Sequence, residues 1–342
     1  MSGAIGLGMV GVGEWARVLA AVIDRNSDAE LVSCFSRTET ARRQFASDFG
    51  CSPAGSLDEL LDDDRVDGVI VATSHNSHVQ IVQQAAAAGK AVFVEKPLAT
   101  RPAEARTAVQ AAEAAGVPLQ VGHQRRRSAA IRRIKSLLEA GTLGDIELIE
   151  ANQSLPSGDT MPPTAWRWDP SQSPLGSMTG LGVHKLDTLS FLAGPIDSVF
   201  AFTRAGRDVP VDEATALSLR FEGGALGTLV TSMFVPTVSE VRVHGRDASA
   251  FASKDGTRLH LLKRGSVESE LVTLEETDPV RDEIDEFVKV VRGEMQPETD
   301  GRAGLAVVAA LQAAVDSVAS GRAMAVAPYL TDGRAHSDRR ED

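Results

Sequence analysis

Apolar residues in the first third of this chain fall into short runs that alternate with helix-spaced patterns. Residues 4–10, 30–35, 66–73, 91–94 and 119–121 are nearly uninterrupted apolar stretches of strand length, the pattern of strands covered on both faces. Between them, 38–49, 78–88 and 102–115 carry apolar side chains at helical spacing and stop at Gly50, Gly89 and Gly116. Trp15, Val18, Leu19 and Val22 stand at i, i+3, i+4 and i+7 and predict a helix buried along that stripe. Ser56-Leu57-Asp58-Glu59 reads as a capping box that opens a short helix. Regular alternation of strand and helix predicts an α/β domain with a doubly wound parallel sheet.

The pattern changes after residue 124. A helix over 128–140 turns Ile131, Ile134, Leu137 and Leu138 inward, and 146–154 opens a set of strands. Residues 215–221 alternate, with Leu217, Leu219 and Phe221 on one face; 226–234, 238–244, 248–252 and 259–262 follow after short turns. This reads as an antiparallel meander, packed on one face and free on the other. Helices at 280–292 and 301–318 follow, and 331–342 is a polar tail, read as disordered. The expected organisation is a Rossmann domain over 1–123, an α+β domain with a large, mainly antiparallel open sheet over 124–330, and the tail. A free sheet face predicts a homodimer or homotetramer formed through it.

Composition narrows the partners. A chain of 342 residues is expected to form two domains. A formal net charge of −12 argues against holding nucleic acid by phosphate neutralisation. The basic cluster Arg125-Arg126-Arg127, with Arg132 and Arg133, reads as a solvated helix face. The longest apolar run, 303–315, is broken by Gln312 and reads as too short to span a bilayer, and no charged leader precedes an apolar stretch at the N-terminus. Of the two cysteines, Cys34 lies in a strand-like run and reads as a buried free thiol, which fits a reducing cytoplasm. His75 and His78 have no Cys or carboxylate cluster near them in sequence, so no metal is expected.

Candidate chemistry begins at the first turn. Gly6 to Gly11 and Gly11 to Ala16 both fit a Gly-x-Gly-x-x-Gly/Ala frame. Only the second leaves a full strand before it and an amphipathic helix after it. There Gly11 makes the tight turn, Gly13 admits a pyrophosphate, Ala16 permits close packing, and Glu14 and Trp15 occupy the first helical turn beside the cofactor. After the second strand comes Ser36-Arg37 where a ribose-binding carboxylate is usual; Arg37 can pair with a 2′-phosphate, which favours NADP over NAD. The run 91–94 ends in Glu95-Lys96-Pro97. Two charges at the carboxyl end of a buried strand stand where open α/β sheets bind ligands. Further on, Trp166-Arg167-Trp168 offers indole faces and a guanidinium suited to a polyol. His184 and Asp187, three apart, share a helix face.

These residues resemble the Gfo/Idh/MocA oxidoreductase family, nicotinamide-dependent dehydrogenases of sugars, cyclitols and related polyols. The resemblance rests on the Gly11/Gly13 turn, the strand 66–73 with Asn76 and His78, Gly89-Lys90 followed by Glu95-Lys96-Pro97, Gly122-His123-Gln124-Arg125-Arg126, and the stretch 176–187. It implies that Thr73, Asn76 and His78 line the ribose–nicotinamide half of the cofactor, while His75 is a polar helix cap. It implies that Glu95 and Lys96 sit beside the nicotinamide, with Lys96 reaching the substrate oxygen. His184 would be the general base, Asp187 would orient it or bind a substrate hydroxyl, and Arg125, Trp166 and Arg167 would contact substrate. Lys96 and His184 would face one nicotinamide ring across a cleft between domains. The last helix would pack back on the first domain, and the open sheet would join subunits. The family often has an Asp four residues before the His; here it is Gly180. The expected activity is hydride transfer between a secondary alcohol of a polyol and NADP or NAD. The alternatives are a glycosidase that works by transient oxidation, and a non-catalytic nucleotide-binding regulator.

Overall fold

The computed structural model describes residues 3–331. In chain order the elements begin β1 (Ile5–Val10), α1 (Glu14–Ile23), β2 (Ala29–Phe35), α2 (Glu39–Phe49), β3 (Ser52–Pro53), α3 (Leu57–Leu61), β4 (Gly68–Val71), α4 (His78–Ala87), β5 (Ala91–Glu95), α5 (Pro102–Ala115) and β6 (Leu119–Gly122). They continue with α6 (Ala129–Glu139), β7 (Ile146–Ser154), α7 (Ser157–Thr160), α8 (Val183–Ala193), β8 (Ile196–Arg204), β9 (Ala214–Phe221), β10 (Leu226–Ser232), β11 (Val238–Gly245), β12 (Ala248–Ser253), β13 (Arg258–Lys263) and β14 (Glu270–Val272). The last are α9 (Pro279–Val291), α10 (Gly301–Ser320), β15 (Met324–Ala325) and α11 (Ala327–Leu330). Contacts divide the chain into two compact units. The first holds the residues up to Ala99, Glu104–Gln124 and Asp278–Leu305; the second holds Thr100–Ala103, Arg125–Thr277 and the residues from Ala306 onward.

In the first unit six parallel strands lie in the order β3-β2-β1-β4-β5-β6. The order reverses direction at β1/β4, the switch point where such sheets bind dinucleotides. Every residue of β1, β4, β5 and β6 is buried, which explains their unbroken apolar runs. Helix α1 buries half of the expected stripe, Leu19 and Val22. Trp15 and Val18 are 37% and 42% exposed, while Ala16, Leu19, Ala20, Val22 and Ile23 face inward. Ala16 and Ala20 let the helix lie close to the sheet, so the small residues, and not the indole, set its inner face. The cap at Ser56 forms: its Oγ accepts the Glu59 N–H at 3.0 Å, and the Glu59 carboxylate accepts the Gly55 N–H at 2.7 Å. The first-unit core also takes Ile284, Phe287 and Val288 from α9, with the Phe287 ring 5.7 Å from that of Phe93. The first turns of α10 lie against Leu119, Val121 and Leu98, close enough that Gly301 and Gly304 have no room for a Cβ.

The second unit is built on a nine-stranded sheet ordered β14-β13-β12-β11-β7-β10-β9-β8-β15. It is mostly antiparallel but not a simple meander: β7 inserts between β11 and β10 and runs parallel to β10. Strand β8 was not legible, because a register shift between Ile196 and Ser198 breaks its alternation. The core joins Leu217, Leu219, Phe221, Leu229, Val241 and Val243 of the sheet to Ile131, Ile134 and Leu137 of α6 and to Val183, Leu186 and Leu189 of α8. From residue 306 onward α10 adds Val307, Leu311 and Ala314 to that core. The expectation that this apolar run falls short of a bilayer span is corrected. Helix α10 has 20 residues, and an 18-residue window of it reaches a mean hydropathy of 1.6, enough by length and composition alone. Much of that stretch is packed inside the protein. On the other face of the sheet Leu148, Phe202, Leu226 and Val230 are exposed. The polar tail from residue 332 lies outside the described residues.

Candidate active site

The nucleotide cradle forms at the β1–α1 turn. Gly11 takes φ +96°, its N–H donates to the Phe35 carbonyl at 2.9 Å, and a Cβ there would lie 2.3 Å from the Ala72 oxygen. No other residue fits that turn. Gly13 caps α1 without any side-chain bond, and a Cβ on it would meet nothing within 4 Å. The free N–H groups of the first turn therefore open on empty space, which fits a pyrophosphate. Glu14 and Trp15 stand exposed in that turn. Beyond β2, Ser36 donates its hydroxyl to the Thr38 carbonyl at 3.2 Å, and Arg42 holds the Ser36 carbonyl at 3.0 Å. Arg37 is exposed, with no ion pair among the described residues.

The ends of β4 and β5 are tied together by His78. It is fully buried, with Nδ1 2.9 Å from the Pro97 carbonyl and Nε2 3.2 Å from the Thr73 carbonyl. Burial holds its pKa below the ordinary value. Both ring nitrogens face backbone carbonyls, so His78 ties together the chain segments that follow β4 and β5. His75 is also buried, its ring 5.9 Å from that of His78. Thr73 accepts the Ser77 hydroxyl at 2.8 Å, and the exposed Asn76 accepts the Ser74 hydroxyl at 2.9 Å.

Glu95 closes β5 as a buried carboxyl. Burial pushes its pKa up, opposed by the Lys96 charge and by the Trp15 indole N–H, which donates to Oε1. The Lys96 N–H donates to Oε2 at 3.2 Å, and the Lys96–Pro97 bond is cis. On β6, Gly122 leaves the carboxyl its space: a Cβ there would lie 2.9 Å from Oε1. The Glu95 carboxyl thus joins the Trp15 indole at the start of α1 to the Lys96 backbone at the end of β5, a contact the sequence did not signal.

In the second unit a widened π turn, Met178–Gly182, leads into α8. Such turns recur at functional sites. His184 and Asp187 are both buried on α8. Asp187 receives two bonds from Arg126, Nε to Oδ2 at 2.9 Å and Nη2 to Oδ1. The carboxylate expected to orient His184 or bind a hydroxyl is therefore held by a guanidinium. The reading of Arg125-Arg126-Arg127 as a solvated face is overturned, since Arg126 and Arg127 are buried. Desolvating Arg126 is offset by Asp187 and by the Phe191 ring, 4.8 Å below its guanidinium. Gly180 has open space where a Cβ would stand.

Sequence reasoning missed Lys185. Its Nζ is buried and donates to Ser239 Oγ at 3.2 Å; that hydroxyl lies 3.0 Å from Gln153 Oε1 and 2.8 Å from Asp255 Oδ1. Burial, then the neighbouring Arg125 charge, lowers the Lys185 pKa to about 7, with Glu240 opposing. Arg125 pairs with Asp255 at the edge of this network, where a cavity of about 10 Å³ remains. No sequence pattern signals it, because its members come from four separate segments. Trp166 is half-buried with the exposed Arg167 stacked 4.5 Å over it, and the Trp168 indole donates to the Pro162 carbonyl at 3.0 Å. Among the described residues no cluster of His, Cys, Asp or Glu could hold a metal ion.

The parallel sheet with its switch-point glycine turn defines a dinucleotide-binding fold. The family model described as an oxidoreductase family with an NAD-binding Rossmann fold matches residues 5–123, and the GFO/IDH/MocA C-terminal domain matches 131–251. The chain belongs to the GFO/IDH/MocA oxidoreductase family. It is 28% identical to the 1,5-anhydro-D-fructose reductase of Ensifer adhaerens, covering 92% of this chain and 97% of that one. It is 29% identical to D-xylose 1-dehydrogenase (NADP(+)) 2 of Haloferax volcanii, covering 93% and 98%. A crystal structure from Desulfitobacterium hafniense, assigned as an NADPH-dependent oxidoreductase, superposes with a TM-score of 0.92 at 29% identity, covering 97% and 100%. The chain is thus an oxidoreductase of an NAD(P)-binding family that acts on sugars and polyols.

Proposed function

We propose that this enzyme moves a hydride between a secondary alcohol of a sugar, cyclitol or related polyol and a nicotinamide dinucleotide, with NADP preferred to NAD. The observation that carries the reading is the Glu95-Lys96 pair at the carboxyl end of β5, joined through the Trp15 indole to the open glycine turn. When bound, the nicotinamide supplies the hydride acceptor or donor. Gly11, Gly13 and the N-terminus of α1 hold the pyrophosphate. Ser36 and Arg37 receive the adenosine end, and the absence of a carboxylate there spares a 2′-phosphate from repulsion. Lys96 holds the substrate oxygen and favours its negative charge. His184 takes or returns the hydroxyl proton. Asp187, through Arg126, fixes α8 so that His184 is presented in one orientation. Trp166 and Arg167 offer a stacked face to the C–H side of a polyol.

The similarity to a xylose dehydrogenase and an anhydrofructose reductase supports this substrate class. The test is a panel of sugars, cyclitols and their keto forms with NAD and NADP, read at the reduced-nicotinamide absorbance. Turnover with at least one polyol is expected, with His184→Ala slower by roughly 10²–10⁴. Nucleotide binding without turnover across the panel, or unchanged turnover in His184→Ala, would overturn the reading. The free sheet face supports a homo-oligomer: Leu148 lies opposite Leu226 on neighbouring strands, Val230 is exposed further along β10, and Phe202 is exposed on β8. Phe202→Asp should shift the sedimenting mass downward. The two free cysteines suit a reducing compartment.

A further inference from the structure

The cavity beside Lys185, within the second unit, is walled by hydrogen-bond donors. Lys185 and Ser128 both line it and are only 5% and 6% exposed. The Lys185 ammonium has three N–H groups and uses one of them, on Ser239 Oγ at 3.2 Å. Ser128 stands at the N-cap of α6, yet its hydroxyl makes no capping bond and no other among the described residues. The positive end of that helix therefore also lies beside the cavity. Gly256 leaves the hydroxyl its space, since a Cβ there would collide with Ser128 Oγ. Ile131, Val241 and Ala252 complete the wall and offer no side-chain acceptor. The acceptors nearby are committed. Asp255 holds the Arg125 guanidinium and lies 2.8 Å from Ser239 Oγ, and Glu240 pairs with Arg242 at 2.8 Å. With Lys185 protonated, two cations, Lys185 and Arg125, share the one carboxylate of Asp255.

We propose that this cavity binds a single halide-sized anion, chloride under ordinary conditions, between Lys185 Nζ, Ser128 Oγ and the N-terminus of α6. A cavity of about 10 Å³ takes one body about the size of a water molecule, which admits a halide and excludes sulfate or phosphate. An anion suits the site better than water does. The buried donors have no other acceptor, and the uncancelled positive charge costs least when a negative one stands against it. Asp255 does not repel the ion, because Arg125 cancels its charge. That pair, with side chains 28% and 52% exposed, forms the solvent edge of the site. Binding and protonation are linked. In the empty site burial, then the Arg125 charge, brings the Lys185 pKa down to about 7, with Glu240 opposing; a bound anion favours the ammonium. Affinity is therefore fullest below about pH 7 and weakens by up to about tenfold per pH unit above it. Chloride then offsets part of the cost of burying the protonated lysine. The site uses residues of the second unit alone and is independent of the substrate reading.

The experiment follows thermal unfolding of the full-length protein as sodium chloride replaces sodium gluconate at constant ionic strength, at about pH 6 and about pH 9. Chloride is expected to raise the wild-type midpoint saturably at the lower pH and barely at the higher. Lys185→Met should lose the chloride-specific rise, and Ser128→Ala should need several-fold more chloride for the same rise. Should Lys185→Met fail to fold, Ser128→Ala and bromide keep the test decisive. In crystals soaked with sodium bromide, anomalous scattering should place one ion within hydrogen-bond reach of Lys185 Nζ and Ser128 Oγ. Equal midpoints in chloride and gluconate at about pH 6, a chloride rise that survives Lys185→Met or Ser128→Ala unchanged, or a cavity without bromide would overturn the proposal. So would formate matching chloride, since that marks a site for a carboxylate.

Discussion

Arg126 and Asp187, 61 positions apart, form a buried two-bond ion pair with side-chain exposures of 8% and 1%. The pair anchors α8, the helix that carries His184. Removing one partner strands a charge where water cannot reach it, and such losses run to about 3–5 kcal/mol. Arg126→Met and Asp187→Asn should each lower the urea midpoint sharply. The double variant Arg126→Met/Asp187→Leu should recover part of that loss, because no charge is left unmatched. A double variant no better than the singles would show that the pair does not act as a unit.

Gly11 and Gly13 serve one turn in different ways, and alanine separates them. At Gly11 the positive φ and the Ala72 carbonyl 2.3 Å from a new Cβ leave no room. Gly11→Ala should cost on the order of 1–3 kcal/mol of stability as well as nucleotide affinity. At Gly13 a methyl group meets nothing within 4 Å, at a φ of −72°. Gly13→Ala should keep its thermal midpoint while losing nucleotide affinity, since only the pyrophosphate competes for that space. Thermal unfolding and fluorescence titration with reduced nucleotide read the two effects independently.

Lys185 makes stability depend on pH. Its folded pKa is depressed to about 7 from the ordinary 10.5, chiefly by burial. Between those values the unfolded chain holds a proton that the folded chain has released, so this residue's contribution to stability rises with pH across the window and is lost as pH falls through about 7. Lys185→Met should therefore gain most over wild type below about pH 7. That advantage should shrink by at most about 1.4 kcal/mol per pH decade toward the alkaline end. Denaturation midpoints of both proteins across pH would show parallel curves if the burial cost were absent.

Arg37 is exposed and carries no ion pair among the described residues, so its charge is available to a 2′-phosphate. Arg37→Ala should weaken NADP binding by about tenfold, the worth of one charge-assisted contact of roughly 1.5 kcal/mol, and leave NAD binding nearly unchanged. Equal losses for both nucleotides would assign Arg37 to adenine stacking.

The nucleotide half of this protein was legible in its residues because the signals there are local. A buried strand reads as an apolar run, a helix stop as a glycine, and the phosphate turn as Gly11 and Gly13 at fixed spacing. Glu95-Lys96 stood out because charge at the end of a buried strand is costly unless it serves a ligand. The rest was decided by side chains distant in sequence. The partner of Asp187 is Arg126, in a triplet that looked solvated; nothing within either segment could reveal that each neutralises the other. His78 sits at the helix start suited to a ligand, yet both ring nitrogens meet the carbonyls of Thr73 and Pro97, which only the folding of two strands brings together. Lys185 lies beside His184 in sequence but is buried against Ser239, 54 residues away, where desolvation sets its charge. Local patterning determines which elements form and where backbone must be glycine. Burial and pairing of charge depend on which distant groups exclude water together, and that is fixed only when the chain is folded.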